Sequence, residues 1–224
     1  MDSKKIAAEQ AATYARDGMV VGLGTGSTVF YAIQKLGEMV KNGLQIRTVS
    51  SSVQSEKIAS DLNIPVTAFE QINKIDLYID GADEVDTNHF LIKGGGGALL
   101  REKILAFNST RYVVVVDETK LVQQLGKFPL PVEIVQFAAP LTIQHLQDLG
   151  ATVNIRQKDG QNYITDNGNF IADCCFLAIP DPTALNLYLH QIPGVVETGI
   201  FLSTVVSEVL VGRKDGTVEM LTTV

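Results

Sequence analysis

The sequence predicts an α/β fold, a mostly parallel sheet of apolar strands alternating with helices, joined to a smaller α+β segment. Three observations predict it. Short apolar runs at Met19–Leu23, Ile46–Ser50, Ile75–Ile79 and Tyr112–Val116 alternate with stretches of helical period, the pattern of buried parallel strands and crossover helices. Glycine turns open two of those helices, at Gly22–Thr28 and Gly94–Gly97. The character changes at Gly126, where Phe128-Pro-Leu-Pro131 marks a boundary.

Taken in order, Asp2 or Ser3 caps a first helix running to about Arg16 and closed by Gly18. Lys4 and Lys5 fall in its first turn, where the dipole disfavours cations; either is a solvated end residue or reaches an anion. Strand Met19–Leu23 leads through Gly22-Leu-Gly-Thr-Gly-Ser-Thr28 into a helix whose Phe30, Ile33, Leu36 and Val40 share a face. That turn lacks the third glycine of a dinucleotide fingerprint and the Gly-Lys-Ser/Thr of a P-loop. Its Thr25, Gly26, Ser27 and Thr28 suit a small phosphate, and equally an ordinary capped turn. Ser50–Ser52 can cap the next helix, Val53–Leu62, and Pro65–Ala68 reads as a further short strand.

Strand Ile75–Ile79 runs into Asp80-Gly-Ala-Asp-Glu-Val-Asp86. Ligands of parallel sheets gather beyond the carboxyl ends of strands. Asp80 and Asp83 stand at such an end, and Gly81 and Ala82 are small enough for close approach. Carboxylates there can hold sugar hydroxyls or bind Mg²⁺, although the spacing does not match a calcium loop; a turn of solvated acids is the other reading. Asn88–Ile92 is a short strand that feeds Lys93-Gly-Gly-Gly-Gly-Ala-Leu-Leu-Arg-Glu-Lys103. Four consecutive glycines lose much backbone entropy on folding. A turn of Gly94, Gly95, Gly96 and Gly97 opening a helix presents N–H groups and a partial positive charge. Lys93 adds a cation and Glu102 a candidate base. The helix carries an apolar stripe at Leu100, Ile104 and Phe107, which leaves Glu102 on the side away from the core. Lys120, after Tyr112–Val116, is a second phosphate partner or a helix-start lysine.

Beyond the boundary, strand Val132–Val135, helix Pro140–Leu149, strands Thr152–Arg156, Asn162–Thr165 and Phe170–Ile179, helix Asp181–Gln191 and strand Val195–Leu202 form a small sandwich of one sheet and two helices. Val205–Val211 and Thr217–Leu221, joined at Lys214-Asp-Gly216, return to the first domain.

The 224 residues are 46% hydrophobic with a net charge of −7. That excess argues against a nucleic-acid partner and an anionic membrane. No apolar run has membrane-spanning length, and the N-terminus lacks a signal-peptide core, so a cytoplasmic protein is expected. Cys174 and Cys175 are adjacent and read as small buried hydrophobes. His89, His145 and His190 are scattered, with no metal-ligand spacing.

Together, Gly24-Thr-Gly-Ser-Thr28, Asp80-Gly-Ala-Asp83, Lys93-Gly-Gly-Gly96, Arg101-Glu-Lys103, Lys120, Gly126-Lys-Phe-Pro-Leu-Pro-Val-Glu133, Thr165-Asp-Asn-Gly-Asn169 and Ile192-Pro-Gly-Val-Val196 closely resemble ribose-5-phosphate isomerases of the A type. The resemblance is in order and spans nearly the whole chain. It implies interconversion of ribose 5-phosphate and ribulose 5-phosphate through an enediolate, with neither metal nor organic cofactor. It implies a Rossmann-like domain over 1–126 and 203–224, with an inserted ferredoxin-like α+β domain over 127–202 serving as lid and oligomer interface. A homodimer is expected, with a tetramer as the alternative. Glu102 matches the family's base, and Asp80, Asp83 and Lys93 its other catalytic positions. Thr25–Thr28 match the phosphate loop, with Lys120 and Lys4 as substrate-binding lysines. The chain departs from the family at Gly97, at Leu100 and in the tail Ser203–Gly212, positions that bear on oligomer contacts more than on chemistry. Other sugar-phosphate enzymes, such as an amino-sugar phosphate isomerase-deaminase or an acyl-CoA transferase with a similar sheet, and a non-catalytic sugar-phosphate sensor are the rival readings.

Overall fold

The computed structural model describes residues 2–222; positions 1, 223 and 224 of the expected first domain lie outside them. Helix α1 (Ser3–Ala12) starts where the Asp2 carboxylate accepts the Lys4 N–H at 3.0 Å. It ends earlier than Arg16, because Thr13 bonds back to the Gln10 carbonyl and the Arg16 guanidinium takes the carbonyls of Thr13 and Ala15. Then come β1 (Val20–Leu23), α2 (Ser27–Lys41), β2 (Arg47–Ser50) and α3 (Val53–Asp61). Ser52 caps α3, its hydroxyl accepting the Ser55 N–H at 3.1 Å. Pro65–Ala68 makes only an isolated bridge, Val66 to Thr48.

Next are β3 (Leu77–Asp80), β4 (Glu84–Val85), β5 (Leu91–Ile92), α4 (Leu99–Phe107) and β6 (Tyr112–Asp117), followed by β7 (Leu130–Ile134), α5 (Ala139–Asp148) and β8 (Thr152–Ile155). The expected strand Asn162–Thr165 is reduced to a small hairpin of β9 (Gln157–Lys158) and β10 (Gln161–Asn162), which turns at Asp159 and Gly160 with positive φ of 53° and 77°. Strand β11 (Phe170–Cys175) stops before Ile179; Leu177, at φ 64°, cannot continue a strand. Helix α6 (Pro182–His190) precedes β12 (Val195–Thr198) and β13 (Ile200–Phe201). These two were expected as one strand. They part at Gly199, where an added Cβ would lie 2.4 Å from the Lys93 carbonyl oxygen, and they enter different sheets. Strands β14 (Glu208–Gly212) and β15 (Val218–Thr222) close the chain.

The chain forms two compact units. The first comprises the residues up to Ala82, Arg101–Lys120 and those from Thr204 onward. Its sheet runs β15-β14-β6-β3-β1-β2, with every neighbouring pair parallel except the β14–β15 hairpin. The chain passes from β1 to β2 on one side and returns to β3 on the other, which leaves a crevice at the carboxyl ends of β1 and β3. An alanine face on α1 (Ala7, Ala8, Ala11) and the stripe Val29, Ile33 and Leu36 of α2 pack on Val21, Leu23, Ile79 and Val113 of the sheet.

The second unit comprises Asp83–Leu100 and Leu121–Ser203. Its four-stranded antiparallel sheet runs β12-β7-β11-β8. With α5 after β7 and α6 after β11, this is the split βαβ arrangement of ferredoxin-like folds. Alternate residues of β7, Leu130, Val132 and Ile134, pack with Leu146 of α5 and Leu189 of α6 in one core. A separate three-stranded sheet, β13-β5-β4, leads into Lys93. Among the described residues, no helix is long and apolar enough to cross a membrane.

Candidate active site

In the first unit the site grows from the ends of β1 and β3. Asp80 is the last residue of β3 and is wholly buried. Its Oδ1 accepts the N–H of Gly81 at 2.7 Å and of Thr25 at 3.1 Å, and its Oδ2 accepts the Tyr78 hydroxyl. Three donors on one carboxylate hold it in a single orientation as an acceptor. Gly24 makes room for it, since a Cβ there would stand 2.0 Å from Asp80 Oδ1. Thr25 is fixed a second time by its hydroxyl contact with Ser51 at 2.8 Å. Gly26, at φ 112°, then turns the chain into α2 without a side-chain cap, so Gly26 and Ser27 are exposed at the helix N-terminus. Thr28 lies over Gly81, where an added Cβ would come within 4.0 Å of the Thr28 Cβ. Tyr31, one turn into α2, donates to the Asp2 carboxylate at 2.7 Å, which brings the starts of α1 and α2 together. Lys4 is half-buried at that meeting point, and Lys5 is exposed, 3.7 Å from Glu9. Lys120 ends a short 3₁₀ turn after β6 and is half-buried.

Glu102 requires a correction. The stripe Leu100, Ile104 and Phe107 is not the packed face of α4: Ile104 is 49% and Phe107 78% exposed. The packed face runs through Leu99, Glu102, Leu105 and Ala106, and Glu102 is only 2% exposed. The spacing of three and four residues is helical for both sets, so the apolar pattern alone picked the wrong one. Glu102 is therefore a buried carboxylate in a helical first turn.

Tyr78 joins these groups. It is fully buried, stacked on Tyr112 at 4.8 Å between ring centroids, and its hydroxyl faces the Asp80 carboxylate. Burial above all, and then the charges of Asp80 and Glu102, push its pKa well above the usual tyrosine value. The phenol is thus a fixed neutral donor. Its signal in the sequence is slight but real: it stands two residues before Asp80 on a strand, hence on the same face.

In the second unit, Gly94–Gly97 forms a turn closed by the Gly97 N–H on the Gly94 carbonyl at 2.9 Å. The glycines are required by crowding. A Cβ on Gly95 would lie 2.6 Å from Asp83 Oδ1, and one on Gly97 2.4 Å from the Tyr163 hydroxyl. Gly94 and Gly97 also have positive φ, at 103° and 84°. Asp83 is tied to the turn, its Oδ2 accepting the Gly95 N–H at 2.7 Å. Lys93 is buried with its ammonium 5.4 Å from the centre of the Phe201 ring. Gly95 and Gly96 are exposed at the tip.

The other acids of this stretch are not solvated, contrary to the reading of a loose acidic turn. Glu84 is buried and accepts the N–H groups of Gly126 at 2.8 Å and Phe128 at 2.6 Å. Asp86 closes a tight turn by accepting from Asn88 at 2.8 Å and Phe90 at 2.9 Å, and burial raises its pKa. Both are structural. Among the described residues, no three His, Cys, Asp or Glu side chains gather as metal ligands. Cys174 is buried and Cys175 half-buried, both as free thiols; burial pushes the Cys174 pKa up to about 12.

Sequence reasoning missed Tyr78, and it missed Arg156, Asp173 and Tyr163 around the glycine turn. Arg156 is more than fifty positions from the turn, and no local pattern links them.

The model of the family described as ribose 5-phosphate isomerase A (phosphoriboisomerase A) matches residues 47–216. The ribose-5-phosphate isomerase A of Bacillus mycoides (strain KBAB4) is 48% identical over 217 residues, 96% of this chain and 98% of that protein. Among solved structures, ribose 5-phosphate isomerase A from Methanocaldococcus jannaschii aligns with a TM-score of 0.93 at 42% identity, over 99% of this chain and 98% of that one. A D-ribose-5-phosphate isomerase in complex with phospho-erythronic acid aligns with a TM-score of 0.94 at 42% identity and the same coverage.

Proposed function

The chain belongs to the ribose 5-phosphate isomerase A family, and on that premise we propose that it interconverts D-ribose 5-phosphate and D-ribulose 5-phosphate in the non-oxidative branch of the pentose phosphate pathway. The observation that carries the mechanism is Glu102, a carboxylate buried beside the Tyr78–Asp80 pair. In the forward direction Glu102 takes the proton from C2 of the open-chain aldose. The C2–H electron pair forms the C1=C2 bond, and the carbonyl electrons move onto O1. Glu102 then returns the proton to C1 while the O2 proton passes to O1 and the C2 carbonyl forms. General base catalysis of this kind contributes roughly 10²–10⁴-fold.

The enediolate oxygen needs preorganised donors, and Lys93 with the exposed Gly96 amide of the Gly94–Gly97 turn fills that role, the Gly95 and Gly97 N–H groups being bonded to Asp83 and to the Gly94 carbonyl. Asp80 and Asp83 take sugar hydroxyls and assist ring opening. Their carboxylates are already oriented by backbone N–H groups, so little reorganisation accompanies binding. The phosphate sits on Thr25–Thr28 at the exposed start of α2, with Lys4 and Lys120 as counter-charges. Its binding energy positions the reacting carbons. That the starts of α1 and α2 meet at Asp2 and Tyr31 supports Lys4 over Lys5 as the phosphate contact.

We infer a cytoplasmic homodimer; the apolar Phe137, Leu141 and Leu177 exposed on the second unit support self-association. Light scattering of the purified protein checks it against a tetramer. The deciding experiment for the function is ketose formation from ribose 5-phosphate by EDTA-treated protein, with glucosamine 6-phosphate as comparison. Turnover of the pentose phosphate alone is expected. Inactivity after chelation, or preference for the amino sugar, overturns the proposal.

A further inference from the structure

Four consecutive glycines are a poor scaffold for an oxyanion site, because glycine peptides reorient at little steric cost. Something outside the turn must set the direction of its amides. Arg156 immediately follows β8 and extends into the turn. Its Nη1 donates to the Gly94 carbonyl at 2.7 Å and to the Gly95 carbonyl at 3.1 Å. Its other two nitrogens grip Asp173 of the adjacent strand β11, Nη2 to Oδ1 at 2.5 Å and Nε to Oδ2 at 3.0 Å. The fork engages the carboxylate on one edge and the two carbonyls on the other, a geometry only a planar guanidinium supplies.

The consequence follows from the planarity of the peptide. Among the described residues no peptide bond is cis, so in this turn each N–H points opposite the carbonyl of its own peptide group. Arg156 on the Gly94 carbonyl sends the Gly95 N–H the other way, where it meets Asp83 Oδ2 at 2.7 Å. One peptide group is thus held from both sides, by a cation on its oxygen and an anion on its nitrogen. By the same geometry, Arg156 on the Gly95 carbonyl turns the exposed Gly96 N–H to the Asp83 side.

We propose that Arg156, anchored by Asp173, is the positioning residue of the glycine turn, locking the Gly95 N–H on Asp83 and so fixing the exposed Gly96 N–H in the orientation in which it serves the enediolate. Its catalytic meaning rests on the isomerase reading above; its structural content does not. A donor that must reorient during the reaction stabilises the transition state less than one already in place.

The test compares wild type, Arg156→Met, Arg156→Lys and Asp173→Asn. The readouts are kcat and KM for ribose 5-phosphate, thermal melting, and the Gly95 and Gly96 amide resonances in isotope-labelled protein. Arg156→Met is expected to lose roughly 10- to 100-fold in kcat, part of the effect of removing an oxyanion donor outright, with KM little changed. Its glycine amide resonances shift and broaden while the fold persists. Arg156→Lys recovers little, having charge without the fork, and Asp173→Asn falls between. Wild-type kcat in folded Arg156→Met, full activity in Arg156→Lys, an effect confined to KM, or unshifted glycine amides overturns the proposal. If Arg156→Met does not fold, Asp173→Asn and Arg156→Lys carry the same comparison. Wild-type protein inactive on ribose 5-phosphate defeats the isomerase reading instead, and the amide resonances then still decide whether Arg156 holds the turn.

Discussion

Tyr78 and Asp80 project from the same face of β3, and the phenolic hydroxyl donates to the carboxylate with both side chains fully buried. The pair places a carboxylate inside the protein with a fixed hydroxyl donor beside it. Tyr78→Phe keeps the ring stacked on Tyr112 but removes that donor. Leaving a buried acceptor short of a partner costs about 1–3 kcal/mol, so a lower urea midpoint and a reduced kcat are expected.

The same residue has a signature at alkaline pH. Its folded pKa lies well above the unfolded value of 10.0, so the folded protein holds the proton more tightly than the unfolded chain. That contribution to stability is complete below the unfolded value and is lost as pH rises above it. Urea midpoints across the alkaline range should fall less steeply in Tyr78→Phe than in wild type, by at most about 1.36 kcal/mol per pH unit. Equal slopes would show that Tyr78 titrates as an ordinary tyrosine.

Glu102→Gln preserves shape at a position only 2% exposed, so the fold should survive. Turnover should drop by roughly 10²–10⁴-fold, the usual contribution of a general base, with binding of inorganic phosphate retained. Near-normal turnover in isomerase assays would remove Glu102 from the proton path.

Lys93→Ala takes away a buried ammonium beside Phe201. A loss of roughly 10²–10³-fold in kcat is expected if it faces the developing oxyanion. Steady-state kinetics separate this from a substrate-binding role, in which KM alone would rise.

Gly24→Ala puts a methyl 2.0 Å from Asp80 Oδ1. The carboxylate must move off its N–H donors at Thr25 and Gly81. Overpacking of this kind typically costs about 1–3 kcal/mol, so a folded but poorly active protein is expected. Circular dichroism with activity assays checks it, and an active variant would mean that Asp80 tolerates displacement.

The alternation of buried strands and helices, the two glycine turns and the acid at the end of β3 were all legible in the sequence, because each is set by local periodicity or by a backbone conformation that few residues adopt. The ordered motifs were enough to place the chain in its family. Element ends were less legible. Local hydrogen bonds by Thr13 and Arg16 stopped α1 early, and crowding of Gly199 against the Lys93 carbonyl cut one apolar run into strands of different sheets.

The sequence by itself determined which chemical groups are present and which secondary structure carries them. Only the tertiary structure decided which face of α4 is buried, that Tyr78 and Asp80 form a donor–acceptor pair, and that Arg156 grips the glycine turn. The physical reason is that burial and hydrogen-bond partnership are pairwise properties of residues far apart in the chain. Leu100, Ile104 and Phe107 formed as good a helical stripe as the packed set, and only the surfaces that α4 meets could choose between them.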